Sequence, residues 1–288
     1  MLHSMTGFAR QVAEFPLGTL TCEIRAVNHR YLDVQFRLPD ELRPKETELR
    51  QRVAALIGRG KVDCSLHFRR SPAAAGGLPL NHELAATLAG RAAELAELLP
   101  GAGRPDPLDL LRWPGVIEEP PVDVEPLAEA AGELLDRTLA NLRSMRASEG
   151  ERIADMLSAR LEDVLRIAAG VRERMPVVLE HVARRQRERL ARLDVEADPG
   201  RLETELAIIS QKLDVDEELD RLESHVSEIR QALASDEPVG RRLDFLMQEL
   251  NREANTLGSK SADGDTTRAA VDLKVLIEQM REQVQNVE

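Results

Sequence analysis

Aromatic side chains are scarce in this chain: one Trp, one Tyr and five Phe among 288 residues. Five of the seven (Phe8, Phe15, Tyr31, Phe36 and Phe68) fall in the first 70 positions. Phe36 and Phe68 occupy the inward phase of an alternating pattern, so a base-stacking sheet of the RRM or OB type is not supported. Cysteine is nearly missing too. Cys22 and Cys64 stand alone, with no CxxC, which excludes a disulfide framework and a Cys-rich zinc site. No apolar run approaches the roughly 18 residues of a membrane span. The opening MLHSMTGFARQ has neither the charged start nor the apolar stretch of a signal peptide, so a cytoplasmic protein with reduced thiols is expected. No GxGxxG or GxxxxGK[ST] is present, which argues against a nucleotide cofactor. There is no GxSxG elbow and no plausible catalytic Cys.

Positive charge is the minority sign, with a net charge of -12. It is also segregated. Residues 1–70 carry 12 Lys and Arg against 8 Asp and Glu, whereas residues 205–288 carry 10 against 19. An acidic chain repels nucleic acid at long range unless its cations are grouped, and here they are.

What is present divides by period. TLTCEIRAV, YLDVQFRL and KVDCSLHFR alternate apolar and polar residues, placing Leu20, Cys22, Ile24 and Ala26, then Val34 and Phe36, then Val62, Cys64 and Leu66 on inward faces. With SMTGFARQV as a first strand and the helical PKETELRQRVAALIG between the last two, the order is β-β-β-α-β. Both cysteines then read as core thiols.

From position 81 nearly everything reads as helix. The expected divisions are an N-terminal α/β domain (1–70), a linker (71–80, containing SPAAAGGLP at 71–79), a long-helix middle region (81–204) and a C-terminal helical domain (205–288). In the middle region, Ser148 and Glu151 have the spacing of a capping box, and Pro176 is expected to interrupt the helix that follows. The C-terminal region shows three apolar stripes: Leu219 to Leu233, Leu243 to Leu257, and Leu273 to Val287. They predict a three-helix bundle. The fold class is α+β.

The polar faces then line up. Glu218, Arg221, His225 and Glu228 share one side of the first helix. On the second, QELNREANTLGSK puts Glu249 and Glu253 in one column beside Gln248, Asn251 and Asn255. On the third, Lys274, Glu278 and Arg281 align. Like charges at i, i+4 repel by about 0.2–0.5 kcal/mol, and a divalent cation between them reverses the sign. His225 and Glu278 from the flanking helices would complete an imidazole–carboxylate site suited to Mn²⁺, Zn²⁺ or Fe²⁺. A solvated or interface face explains the same residues. In the N-terminal region Arg25, Arg37 and Lys61 point outward, and the VNHRYLD turn adds Asn28, His29 and Arg30. Such a face can track a sugar–phosphate backbone, or it can simply be solvated.

The strings SMTGFAR, VNHRYLD, RGKVD, DEELDRLESHVSEIR, VGRRLDFLMQELNREANTLGSKS and LKVLIEQMREQVQNVE resemble the YicC/YloC family of bacterial proteins, from about residue 3 to the end. The resemblance implies a stress-associated endoribonuclease that cleaves RNA with a divalent metal, typically Mn²⁺ (Mg²⁺ or Zn²⁺ as alternatives), and that forms a ring-like homohexamer. It makes His225, Glu249, Glu253 and Glu278 catalytic or metal candidates, with Glu218 next. Arg252, Lys260, Lys274 and Arg281 become candidates for holding phosphates, and Asn251 and Asn255 for the substrate or for supporting the ligands. Two non-catalytic readings compete: an oligomeric RNA-binding scaffold and a stress-response adaptor that binds only protein.

Overall fold

Four stretches with two-residue alternation form one sheet: β1 (Gly7–Phe15), β2 (Gly18–Val27), β3 (Leu32–Arg37) and β4 (Gly60–Arg70). The computed structural model describes residues 2–71, 79–99, 106–118, 123–192, 199–235, 237 and 239–288. The strand order is β1-β2-β4-β3. β2 pairs antiparallel with both β1 and β4, while β3 runs parallel to β4. A parallel neighbour needs a crossover, which a 3-10 turn (Asp40–Lys45) and helix α1 (Glu46–Leu56) supply. The two-residue β1–β2 connection closes at Gly18, whose φ of +152° and close approach to the Arg69 carbonyl leave no room for a Cβ.

One face of the sheet is buried, as the alternation requires. Leu20, Cys22, Ile24, Val62, Cys64 and Leu66 are at most 1% exposed and pack with Leu49 and Val53 of α1. Cys22 and Cys64 are free and buried, in line with core thiols. The Cys64 thiol is pushed up from its ordinary range, first by its hydrogen bond with Cys22 and then by burial. Neither condition favours a nucleophilic thiolate.

Helix α2 (His82–Leu98) starts at Asn81, whose Oδ1 accepts from the Leu84 N–H at 2.9 Å. The short α3 (Pro107–Leu111) follows. Of the expected linker, residues 72–78 lie outside the described residues.

The middle region departs from expectation in two places. Val124–Ala191 is one helix, α4, of 68 residues. Ser148 and Glu151 lie inside it, so they form no capping box. Pro176 lies inside it as well and does not end it. The physical reason is local. Proline removes one N–H bond and crowds one carbonyl, but Pro176 faces solvent while Met175 and Val178 beside it are buried. Packing on the buried side holds the helix through a defect on its wet side.

The chain divides into two compact units, Gly7–Arg143 and Met1–Thr6 with Ser144–Glu288. In the first, the sheet and α1 share their core with Leu127, Leu134, Leu135 and Leu142 of α4. The second contains α5 (Pro199–Leu213) and the three expected helices, α6 (Asp216–Leu233), α7 (Gly240–Lys260) and α8 (Gly264–Val284). Their apolar stripes are buried as the periodicity requires: Leu219, Leu222, Val226 and Ile229; Leu243, Leu250 and Leu257; Leu273, Ile277 and Met280. The bundle has a fourth member, however. Ile153, Leu157, Leu161, Val164 and Val171 of α4 join the same core. Arg172 then reaches Asp220 at 2.7 Å, and Arg230 reaches Glu162 at 2.5 Å.

The same unit is closed by a clasp. Ser4 bridges Val287, Met5 N–H donates to the Asn286 carbonyl at 2.7 Å, and Glu288 N–H donates to the His3 carbonyl at 2.8 Å. Arg146, 8% exposed, donates to the Ser4 carbonyl and to the Glu288 carboxylate. Gly150 of α4 lies against this segment so closely that a Cβ would stand 2.0 Å from the Leu2 carbonyl oxygen.

Candidate metal centre

Helices α6 and α7 pack through their leucine stripes, and the residues flanking those stripes meet across the joint. His225 precedes the buried Val226 by one residue. Glu253 precedes the buried Ala254, and Glu249 lies one turn before it. The result is a group of three: one ligand atom each from His225, Glu249 and Glu253 lies within 4.8 Å of the others. Among the described residues it is the one such group of three or more His, Cys, Asp or Glu.

Burial makes this group unusual. Glu253 is 3% exposed, a carboxylate drawn into the helix joint. Its counter-ion is Arg221, with Nη1 at 3.5 Å, and Arg221 is half-exposed and also bound to Glu217. Glu217 and then Glu253 hold the Arg221 guanidinium above its ordinary range. Glu249 has a long contact, 3.9 Å to Arg252. His225 Nδ1 is buried with no hydrogen-bond partner among the described residues. A buried ring nitrogen without a partner loses its hydration with nothing in return, unless a ligand takes its lone pair or its proton.

The other candidates are placed elsewhere. Glu218 is buried, but Lys260 Nζ donates to both its oxygens at 2.8 Å and to the Asp214 carbonyl at 2.8 Å. The two residues thus satisfy one another and tie the start of α6 to the end of α7. Glu278 is exposed on α8, with Arg281 Nη1 at 3.6 Å, and is not part of the three-residue group. Arg281 also lies 3.7 Å from Asp244. Lys274 and Arg252 are exposed. The amides of QELNREANTLGSK are bonded in pairs along α7: Gln248 donates to Asp244 at 3.0 Å, and Asn255 donates to Asn251 at 2.8 Å.

In the sheet unit, Arg25 and Arg37 line a shallow hollow of about 530 Å³ on the outer face with Phe8, Glu23, Asp63 and Ser65. Lys61 lies opposite Asp33 and Val27 on neighbouring strands. Asn28, His29 and Arg30 are exposed in the β2–β3 turn, where the Arg30 guanidinium covers the Tyr31 ring at 5.2 Å.

Two residues of these sites were named from the sequence but given no role there. Arg221 lies four residues before His225 on the same helix side, and that spacing was the available signal. Phe8 is half-exposed on the outer face, directly opposite Arg25, where its strand phase places it.

The chain is similar along its whole length to known proteins. Residues 2–155 match the family model described as the N-terminal region of endoribonuclease YicC-like proteins, and residues 171–288 match the corresponding C-terminal model. A protein of Haemophilus influenzae named probable endoribonuclease YicC is 42% identical over 288 residues, covering both chains fully. A protein of Clostridioides difficile with the same name is 29% identical over 293 residues, again covering both fully. With both halves matched and a full-length relative at that identity, this chain belongs to the YicC-like family.

Proposed function

We propose that the protein is a metal-dependent endoribonuclease whose ion is held by His225, Glu249 and Glu253. The names of its relatives support RNA as the substrate. The observation that carries the metal is His225, whose ring places a nitrogen within 4.8 Å of a carboxylate oxygen of Glu249 and of Glu253, the latter 3% exposed, and whose buried Nδ1 has no hydrogen-bond partner among the described residues. One imidazole and two carboxylates form a donor set suited to Mn²⁺, Zn²⁺ or Fe²⁺. A divalent cation lying between Glu249 and Glu253 would turn their repulsion into attraction.

When bound, such an ion polarises a scissile phosphate and lowers the pKa of a bound water. The chain's own residues do the rest. α6 and α7 hold the donors on rigid helices rather than on loops. Glu253 is fixed by burial and by Arg221. Arg221 and Arg252, half-exposed and exposed beside the carboxylates, can neutralise a phosphate that approaches them. Glu218 and Lys260 serve by clamping α6 to α7. From the resemblance we carry over Mn²⁺ as the ion, a hexameric assembly and a role in stress-linked RNA turnover as parts of the same proposal.

The test is cleavage of an end-labelled structured RNA in EDTA, Mg²⁺ or Mn²⁺, by the parent, Glu249→Gln and His225→Ala proteins, with assembly state matched. Metal-dependent cutting that is lost in both variants is the expected result. Cutting that survives both would move the chemistry off these helices. Salt-sensitive RNA binding without cutting would make the protein a scaffold.

A further inference from the structure

Resting on the reading that RNA is the substrate, we infer that the C-terminal part of α4 is the track that holds the RNA backbone. Between 181 and 192 the end of the helix and the turn residue after it carry five arginines (184, 185, 187, 189 and 192) against the single acid Glu188. Arg174, His181, Arg184, Arg185 and Arg192 recur at helical spacing, so they share one side.

Several cations of the same unit are already committed to carboxylates. Arg172, Arg174, Arg221 and Arg230 are each bonded to a carboxylate. Arg184, Arg185 and Arg192 have no ion-pair partner among the described residues. Three guanidinium groups on one helix side, with no ion pair among the described residues, repel one another and gain when an anion arrives. Their forked donors suit phosphate oxygens.

Shape supports the same occupant. A cleft of about 500 Å³ runs between this helix side and the α7–α8 connection. Arg174, His181, Arg184 and Arg185 line it with the single acid Glu188 among them, and Val177, Val178 and Val182 form an apolar floor. Cations around an apolar floor fit a chain that is charged along its backbone and apolar on its base faces. An acidic peptide would use the cations and leave the floor bare. The cleft also has a direct relation to the metal centre. From Glu253 to Lys260 is about 10 Å along α7 at ~1.5 Å per residue, and Ala262 and Asp263 just beyond form the cleft's other wall. A strand held there lies a short step from the carboxylates, which by themselves repel it.

The test is binding of a fluorescent single-stranded RNA to the full-length protein in EDTA across a salt series. The variants are Arg184→Ala/Arg185→Ala, Arg184→Lys/Arg185→Lys and Glu188→Gln. Each phosphate contact contributes about 0.7 to the salt slope for a single strand, so the alanine pair should lower the slope by about 1.4 and weaken binding about 25-fold at ~0.1 M salt. The lysine pair should keep the slope, and Glu188→Gln should tighten binding. In the metal-loaded cleavage assay the alanine pair should raise KM and leave kcat unchanged. An unchanged slope and affinity in the alanine pair, with cleavage intact, overturns the track and leaves the nuclease reading standing. A normal track in a protein that never cuts does the reverse. Poly-aspartate bound as tightly as RNA of equal charge would also overturn the assignment, because it would make the apolar floor irrelevant.

Discussion

Replacing Glu249 with Gln should make the metal-free protein more stable and the metal-loaded protein less stable than the parent. Glu249 and Glu253 are one helical turn apart, and such like pairs cost about 0.2–0.5 kcal/mol on an exposed helix. Here Glu253 is 3% exposed, so solvent screens the pair poorly and the upper end applies. Against this stands the attraction of Glu249 to Arg252, 3.9 Å away and 70% exposed, and such surface pairs contribute close to nothing. Arg221 contacts Glu253, not Glu249. The metal-free variant should therefore gain about 0.5 kcal/mol, or about 1–2 °C in Tm at ~2–4 °C per kcal/mol.

Mn²⁺ reverses the order. At a concentration of about 100 times Kd, binding stabilises the parent by about 2.7 kcal/mol. Losing a carboxylate ligand weakens binding at least about tenfold, which leaves the variant at most ~1.4 kcal/mol of that gain. Calorimetric melts in EDTA and in Mn²⁺ should thus cross: the variant melts above the parent without metal and below it with metal. If Mn²⁺ raises the Tm of both proteins equally, Glu249 is not a ligand. If the variant melts lower in EDTA as well, the like-charge argument is wrong.

The same geometry sets four further outcomes. His225→Ala should reduce metal-dependent RNA cleavage by at least about 100-fold while RNA affinity in EDTA stays within about twofold, because in the proposed centre the ring would bind the ion and not the phosphate chain; a matched loss of affinity would refute this. Lys260→Met should destabilise the fold by about 2–3 kcal/mol by leaving Glu218 buried and unpaired, and adding Glu218→Gln should restore most of it, as read by urea denaturation. Pro176→Ala should stabilise by about 1–3 kcal/mol, since it returns a bond to an otherwise continuous helix; a lower Tm would mean that the bend is required. Burial opposes ionisation of Asp263, but hydrogen bonds from the Thr266 side chain and N–H, with Arg174, outweigh it and hold its carboxyl below the ordinary value of 3.8. That stabilisation is fully present above the ordinary value and is lost as pH falls through the folded one. The deficit of Asp263→Ala, about 1 kcal/mol at neutral pH, should therefore shrink in acid melts.

How far the sequence carried depended on the range of the interaction. Period-two alternation in TLTCEIRAV and KVDCSLHFR reports burial directly, and Leu20, Ile24, Val62 and Leu66 are inside as expected. The stripes of α6, α7 and α8 were legible for the same reason. Pro176 and Ser148 misled because both are strong local signals, and local preference yields when a helix has a core to pack against on either side of the defect. The fourth bundle helix was hidden because nothing in the α4 stripe names its partner. At the site, His225, Glu249 and Glu253 could be nominated from spacing, but the burial of Glu253 could not, since its helix position also suits a wet face. Glu218 and Lys260 looked like two functional groups because a bond across 42 positions leaves no mark in either local segment.

The clasp of residues 3–5 on residues 286–288 bears on when this protein can become active. During synthesis the sheet unit has all its residues outside the ribosome long before the last turn of α8 is made, and it can fold at once. The helical unit cannot, because the segment before β1 must wait for a partner that is translated after α8. Any hydrolytic centre between α6 and α7 is therefore completed only once that partner has emerged. A nascent polypeptide in which α8 is still unmade, tethered to the message that encodes it, carries His225, Glu249 and Glu253 without the closed framework around them.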